Sequence, residues 1–506
     1  MLNILLGPPG TGKTETSIKT VESFLTSGVP PDKIGYFAFT RRANIEAKHR
    51  AMNRFNLSSE DLPYFRTLHS LAYAQLGVGR SQMMNRKHYQ EVSTWLKVGS
   101  FFAQESDYGP FKDIGYGDKF LELINMSRIT GVSLQEIYNN SKVRYKADWR
   151  LVSYVCRGLA HYKESMHLLD YTELLVQFVE KDLAPRLEVV IIDEAQDLSA
   201  LQWKMVDQLA GKAQHVFIAG DDDQAIYRWA GADIDRFLRL DGDVTILNQS
   251  YRIPAKHHHI SQRLIHRVSN RFQKDFLPRE TEGDLQWYRH SEQVDISEGE
   301  WLLLSRTTRG ANQLEEEVRQ RGYLYKYEAS RSTDSKVLQA VTLWEKLREG
   351  RKLPVDDIRK VYAQMLLHEQ VVYGFKTLPD IDEEGFYSIE DLQQSYGLLT
   401  NAPWDSALGK VSDRDKRYIS ACLRKGEKVT EDPRITISTI HRAKGAQSEK
   451  VLLLTDTSGR SNSQWRHTET EKEDEVRVFY VGLTRAKEQL HLVHPMYSAG
   501  YSLPQG

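Results

Sequence analysis

The sequence predicts an α/β protein of two parallel-sheet domains, each interrupted by a mainly helical insertion. Three observations carry this. First, the short apolar run Leu2–Leu6 leads into the glycine-rich stretch Gly7–Thr14 and then into a helix-compatible segment beginning near Lys13. Second, later apolar runs end in clusters of polar residues, as strands do whose carboxyl ends face a ligand in an open α/β sheet. Third, beyond residue 300 a second series of apolar runs alternates with helical text.

In chain order, Ile34–Phe39 reads as a buried strand and is followed by Thr40-Arg41-Arg42 and a polar helix. Residues 62–75 hold a short segment and then a helix. From about 80 to 165 the text is helical and mixed in charge, an all-helical insertion. Leu187–Ile192 is nearly continuously apolar, as a parallel strand covered on both faces should be. It ends in Asp193-Glu194-Ala195-Gln196-Asp197. His215–Ala219 ends in Gly220-Asp221-Asp222-Asp223-Gln224, and Val244–Leu247 ends in Asn248-Gln249-Ser250-Tyr251-Arg252. The second series comprises Trp301–Leu304, Ile435–Thr439, Val451–Leu454 and Leu490–Val493. A charge-rich insertion spans about 345–430, with loops at Leu347–Lys352 and Pro379–Glu384. The resulting division is 1–79 with 166–247, the insertion 80–165, then 248–344 with 430–506, and the insertion 345–429.

Composition bounds the answer. A length of 506 residues suggests three or four domains, and 40% hydrophobic with 27% charged residues is ordinary for a globular chain. The net charge of −1 gives no global basic signature, so any nucleic-acid contact must rest on local positive charge. Cys156 and Cys422 are the only cysteines, which excludes a disulfide or zinc framework and fits a reducing cytoplasm. No apolar run approaches the ~20 residues of a membrane span, and the opening run is too short for a signal peptide. A soluble, intracellular protein is expected.

Gly7–Thr14, GPPGTGKT, fits the phosphate-loop pattern in full. Its glycines let backbone N–H groups point at phosphate oxygens, and the following helix N-terminus adds its positive dipole end. In that pattern Lys13 reaches the β- and γ-phosphates and the Thr14 hydroxyl holds Mg2+. Asp193, at a strand end, suits Mg2+ through its water shell. Its neighbour Glu194 can orient or deprotonate an attacking water. Phosphoryl transfer also needs positive charge at the γ-phosphate, for which Arg252 and Arg485 are candidates. Their placement implies a nucleotide held where two domains meet. His257-His258-His259 is set aside as a metal motif, because consecutive helical residues face different ways; a solvated or phosphate-side helix is expected.

Ten stretches, in order from residue 7 to 487, resemble the superfamily 1 DNA helicases of the UvrD/Rep/PcrA type. They are GPPGTGKT, FAFTRRAN (37–44), FRTLHSLA (65–72), DYTELL (170–175), IIDEAQD (191–197), AGDDDQAIYRWAGAD (219–233), LNQSYR (247–252), LLLSRT (302–307), TIHRAKG (439–445) and VFYVGLTRAK (478–487). The resemblance implies two RecA-like P-loop NTPase domains and an ATP- and Mg2+-dependent DNA helicase. That enzyme would act on single-stranded DNA and single/double-strand junctions. Gly7, Pro8, Pro9, Gly10, Thr11 and Gly12 would cradle phosphate, with Lys13 and Thr14. Asp193 would hold Mg2+, Glu194 would activate water, and Gln224 would sense the γ-phosphate and couple it to DNA. Arg252 and Arg485 would be the two arginine fingers, and Tyr251 would stack near the base. Phe39, Tyr227 and Trp229 would stack on DNA bases, a sequence-tolerant grip. Thr40, Arg41, Thr67, His69 and His441 would follow the strand's backbone.

Three departures qualify the resemblance. The family's upstream glutamine motif is missing, since only the first strand precedes the loop. Glu15 replaces the family arginine after GKT, and Gln447 replaces the glutamate linked to the nucleotide sugar. Both the missing glutamine motif and Glu15 imply relaxed NTP selectivity, and Gln447 implies a weaker contact with the ribose. GPPGTGKT followed by Glu15-Thr16 also resembles the 5′→3′ branch, whereas the later motifs resemble the 3′→5′ branch. The second insertion is short, which implies a reduced accessory domain with weaker autoinhibition or different partner control. The leading reading is a 3′→5′ helicase serving repair, replication or recombination. Its alternatives are a translocase with little unwinding, a 5′→3′ or bipolar helicase, a switch with little turnover, and a nuclease-linked subunit. Protein partners are not legible.

Overall fold

Strands β1 (Leu2–Leu6), β2 (Ile34–Ala38), β3 (Phe65–Arg66), β4 (Val189–Asp193), β5 (His215–Gly220) and β6 (Asp243–Ile246) form one parallel sheet in the order β3-β2-β4-β5-β1-β6. The computed structural model describes residues 2–99, 101, 117–328, 330–457, 468–495 and 500–504. The chain divides into two units, Met1–Glu282 with His467–Thr484, and Gly283–Arg466 with Arg485–Gly506.

In the first unit β2 and β4 are buried along their whole length, as their apolar runs require. Successive residues face opposite sides of the sheet. Phe37 and Ile192 join Trp203 and Phe237 in one core, whereas Tyr36 and Ile191 join Ile18 and Val21 in the other. Helix α1 (Lys13–Thr26) starts from Gly12 in the left-handed region at φ 85°. Helix α2 (Arg41–Phe55) follows β2 and helix α3 (Leu68–Leu76) follows β3; Thr40 and Thr67 cap them by accepting the N–H of Ala43 and Ser70. The first insertion is mainly helical among its described residues, through Arg86–Leu96, Asp118–Thr130, Leu134–Asn140 and Trp149–Ser165. It has a core of its own around Val92, Phe120, Val152 and Val155.

The second unit contains β7 (Asp284–Tyr288), β8 (Trp301–Ser305), β9 (Tyr325–Tyr327), β10 (Ser330–Arg331), then β11 (Leu353–Pro354) and β12 (Phe386–Tyr387), and finally β13 (Ile435–Thr439), β14 (Ser448–Leu454) and β15 (Ala486–Val493). Seven of them form a sheet in the order β10-β9-β13-β8-β14-β15-β7, parallel except for the β9–β10 pair. The remaining two make an antiparallel ribbon within the otherwise helical second insertion. That insertion shares its core with the sheet: Trp344, Tyr362, Leu392 and Tyr418 belong to one cluster with Trp301, Leu303, Ile435 and Ile437.

The differences from the sequence reading have simple causes. Strand β7 is half-exposed and polar, and β3, β10, β11 and β12 are two residues each, too short for an alternation to register. Residues 248–282, read with the second domain, group with the first unit. The expected loop at Leu347 begins two residues later, because the helix Ser335–Arg348 runs through Arg348. Among the described residues, no helix is long and apolar enough to cross a membrane.

Candidate nucleotide site and aromatic row

In the first unit, the carboxyl ends of β1, β4 and β5 bring the phosphate loop, the Asp193-Glu194 pair and the Asp221–Gln224 turn together. Gly7 donates its N–H to the Gly220 carbonyl at 3.0 Å, tying the loop to β5. The Lys13 side chain folds back across Gly7, where a Cβ would lie 1.8 Å from Lys13 Cγ. Gly10 has φ +77°, and a Cβ there would lie 2.4 Å from that of Arg252. Two contacts hold Gln249–Ile253 to the loop: Ser250 Oγ donates to the Pro9 carbonyl at 2.8 Å and Tyr251 N–H donates to the Gly10 carbonyl at 2.9 Å; within the segment, Ile253 N–H donates to Ser250 Oγ at 3.2 Å.

Asp193 accepts from Tyr36 Oη at 2.7 Å and from Thr14 Oγ1 at 3.4 Å through Oδ2, and from Glu194 N–H at 2.9 Å through Oδ1. Burial and the neighbouring Glu194 carboxylate raise the Asp193 pKa against the pull of Lys13. Glu194 takes a left-handed conformation, φ 55°, which turns its carboxylate toward Lys13 Nζ at 3.1 Å. Burial lowers the Lys13 pKa, but Glu194, Asp221 and Asp193 outweigh it and the net shift is upward. Gln196 donates to Glu194 Oε2 at 2.5 Å and accepts the Asp221 N–H at 2.9 Å. Gln224 donates to Asp221 Oδ2 at 2.7 Å.

Asp221, Asp222 and Asp223 are buried with two cations that sequence reasoning missed. Arg271 pairs with both oxygens of Asp223 at 2.7 and 2.6 Å, and Lys274 reaches Asp221 at 2.8 Å, Asp223 at 3.1 Å and Asp222. Burial and the adjacent carboxylates push Asp222 up to about 6 despite Lys274. Arg477, also buried, donates to the carbonyls of Asp222 at 3.0 Å and Asn270 at 2.9 Å. No local pattern announces such residues, because their partners are far away in sequence. Tyr36 and Gln196 lay inside stretches already singled out, but without an assigned role.

Arg252 Nε is buried without a hydrogen-bond partner, and burial lowers the guanidinium pKa against the attraction of Glu194. Tyr251 is 74% exposed. Glu15 is turned to α2, pairing with Arg54 at 2.7 Å and Arg50 at 3.9 Å. These residues fit a nucleotide polyphosphate: the loop N–H groups lie at a helix start, Gly10 and Gly12 hold it open, and Arg252 Nε has no protein acceptor. Thr14 and Asp193 are hard oxygen donors suited to Mg2+. Among the described residues no group of three His, Cys, Asp or Glu could hold a metal.

Three of the proposed DNA residues of this unit form a row. Phe39 stacks on Tyr227 with centroids 5.8 Å apart, Tyr227 meets Trp229 at 6.5 Å, and Trp229 is 48% exposed. Burial first, then Asp197 and Glu194, raise the Tyr227 pKa, so its hydroxyl stays neutral. His69 lies 6.2 Å from the Tyr171 ring, and Arg41 is exposed. The three histidines of Ala255–Ile265 split: His257 is buried, His258 is half-buried against Phe276 at 4.6 Å, and His259 is exposed, so the solvated reading applies to His259 alone.

In the second unit, His441 follows β13 and Arg485 precedes β15. Arg485 is buried and donates to the Ala446 carbonyl at 3.4 Å. Gln447 is exposed beside it. Burial, Arg306 and Lys444 push His441 down to about 3, so it is neutral at physiological pH.

The fold and site define a P-loop NTPase on a parallel sheet, with an aromatic row following Gln224 in the chain. Residues 2–245 match the model for the UvrD/REP helicase N-terminal domain, and residues 404–495 match that for the UvrD-like helicase C-terminal domain. The chain is 22% identical to the ATP-dependent DNA helicase PcrA of Bacillus subtilis, covering 97% of this chain and 80% of that one. It is 23% identical to DNA helicase II of Escherichia coli, over 97% and 82%. A match to DNA helicase II of Haemophilus influenzae, 25% identical, covers 56% of this chain and 41% of the relative. The chain belongs to the UvrD/Rep/PcrA-type family of ATP-dependent DNA helicases.

Proposed function

We propose that this chain hydrolyses ATP to translocate 3′→5′ on single-stranded DNA, entering at single/double-strand junctions in the cytoplasm and separating the duplex ahead. The carrying observation is one short stretch, Asp221–Trp229: its start touches Gln196 and Gln224 beside Glu194, and its end presents Tyr227 and Trp229. A change at the nucleotide thus has a direct path to a base-stacking surface.

In this reading Lys13 and Arg252 stabilise negative charge that develops on the transferred group, and Glu194 accepts the proton of the attacking water. Mg2+ held by Thr14 and Asp193 would supply charge neutralisation at the phosphates. To act as base, Glu194 must exchange its contact with Lys13 for one with water. Gln224 must likewise leave Asp221 to meet a γ-phosphate. Arg485 and Gln447 keep nucleotide roles by resemblance, and His441 and Thr67 keep places along the DNA backbone. The division into two ATPase domains with insertions at 80–165 and 345–429 is part of the same proposal.

The test is the ATPase rate with and without single-stranded DNA, beside unwinding of 3′- and 5′-tailed duplexes. Stimulation with unwinding from the 3′ tail alone supports the proposal. Unwinding from the 5′ tail overturns the polarity, stimulation without unwinding favours a translocase, and no stimulation overturns the motor.

A further inference from the structure

Gln196 is buried, and both ends of its amide are engaged by the nucleotide site. Nε2 donates to Glu194 Oε2 at 2.5 Å, and Oε1 accepts the Asp221 backbone N–H at 2.9 Å. The fit is close: a Cβ on Gly220 would lie 2.7 Å from Gln196 Oε1. Asp221 is itself fixed, since Lys274 Nζ holds Oδ1 at 2.8 Å, Gln224 Nε2 holds Oδ2 at 2.7 Å, and all three are buried. A continuous set of contacts therefore runs from Lys274 through Asp221 and Gln196 to the Glu194 carboxylate.

Glu194 also forms an ion pair with Lys13 at 3.1 Å. When Lys13 turns to phosphate, that restraint goes. A glutamate side chain has three rotatable bonds, and a misplacement of ~1 Å in a reacting group can cost ~100-fold in rate. The amide of Gln196 remains, and it fixes one carboxylate oxygen so that the other can face water.

We propose that Gln196 is a positioning residue for Glu194, braced through Asp221 by Lys274. The inference rests on Glu194 being the base of the proposed reaction. Gln196 touches neither substrate nor metal in this role.

The experiment compares full-length wild type, Gln196→Met, Glu194→Gln and the double variant by steady-state ATPase on saturating single-stranded DNA, with melting temperatures alongside. Gln196→Met should lower kcat about 10- to 100-fold and leave KM for ATP within about twofold, the pattern of a contact that matters in the transition state. In the Glu194→Gln background it should have no further effect on kcat. Gln196→Glu, of the same shape, keeps an acceptor for Asp221 and replaces the donor to Glu194 with an oxygen. It should show the same loss and serves where Gln196→Met does not fold. Wild-type kcat in either Gln196 variant, with Glu194→Gln inactive, overturns the positioning role. An equal further loss in the double variant assigns Gln196 to general structure and also overturns it. A Glu194→Gln enzyme as fast as wild type overturns the proposed base itself.

Discussion

At Lys13 burial and charge pull in opposite directions, and charge wins: three carboxylates hold the ammonium protonated where desolvation alone would favour the amine. Lys13→Met therefore removes the cation from phosphate and from Glu194 together, and ATPase should fall at least about 10²–10³-fold in a steady-state assay. Among the described residues, Arg252 Nε is buried without a hydrogen-bond acceptor. Arg252→Ala should lower kcat by about 10³–10⁵ while ATP binding, followed by fluorescent-nucleotide titration, changes far less. Glu15 spends its carboxylate on Arg54 and Arg50 at the surface, and so offers no cation to a base. Competing hydrolysis of ATP and GTP should show rates of similar size; strong preference for ATP would contradict that. GPPGTGKT and Asp193-Glu194 were legible in the sequence because short-range backbone geometry creates their chemistry. Gln196 was not, because what braces its amide against Glu194 is Asp221, 25 residues away in sequence.

Among the elements, the turn Asp221–Trp229 joins buried charge to exposed aromatic surface within nine residues. Trp229→Ala should weaken single-stranded DNA binding by about 1–3 kcal/mol and leave the DNA-independent ATPase unchanged, as fluorescence anisotropy beside a DNA-free assay would show. The helix Tyr171–Glu180 starts at Asp170, whose carboxylate meets Arg128 at 2.8 Å and Lys163 at 2.7 Å. Burial alone would raise this carboxyl, but the two cations draw it from 3.8 down to about 2. Its folded pKa thus lies below its unfolded one, so its stabilisation is present above pH 4 and disappears between about pH 4 and pH 2. The contribution is on the order of 2 kcal/mol. Acid titration followed by circular dichroism should show a shallower loss over that window in Asp170→Asn. The strands buried on both faces were plain as apolar runs. Strand β7 was not, because Asp284, Gln286 and Tyr288 leave it half-exposed and break the pattern.

For the whole molecule, a net charge of −1 means that DNA affinity must come from local cations and aromatic faces. Log affinity for single-stranded DNA should fall linearly with log salt, with a slope of about −0.7 per phosphate contacted. A flat dependence would place binding almost wholly on stacking. The two parallel sheets and the helical insertions could be read from periodicity and motif order. The buried cluster of Asp221–Asp223 with Arg271, Lys274 and Arg477 could not, because like and unlike charges scattered along a chain look the same as solvated surface until the fold gathers them. Arg477 lies on the helix Glu469–Leu483, which belongs to the first unit although it follows most of the second in sequence. No single stretch of chain therefore contains the whole first unit. A fragment ending at residue 282 would leave the Asp222 carbonyl and Asn270 without their guanidinium partner, and should be recovered as insoluble material. Supplying the 467–484 segment together with residues 1–282 should recover that half in soluble form.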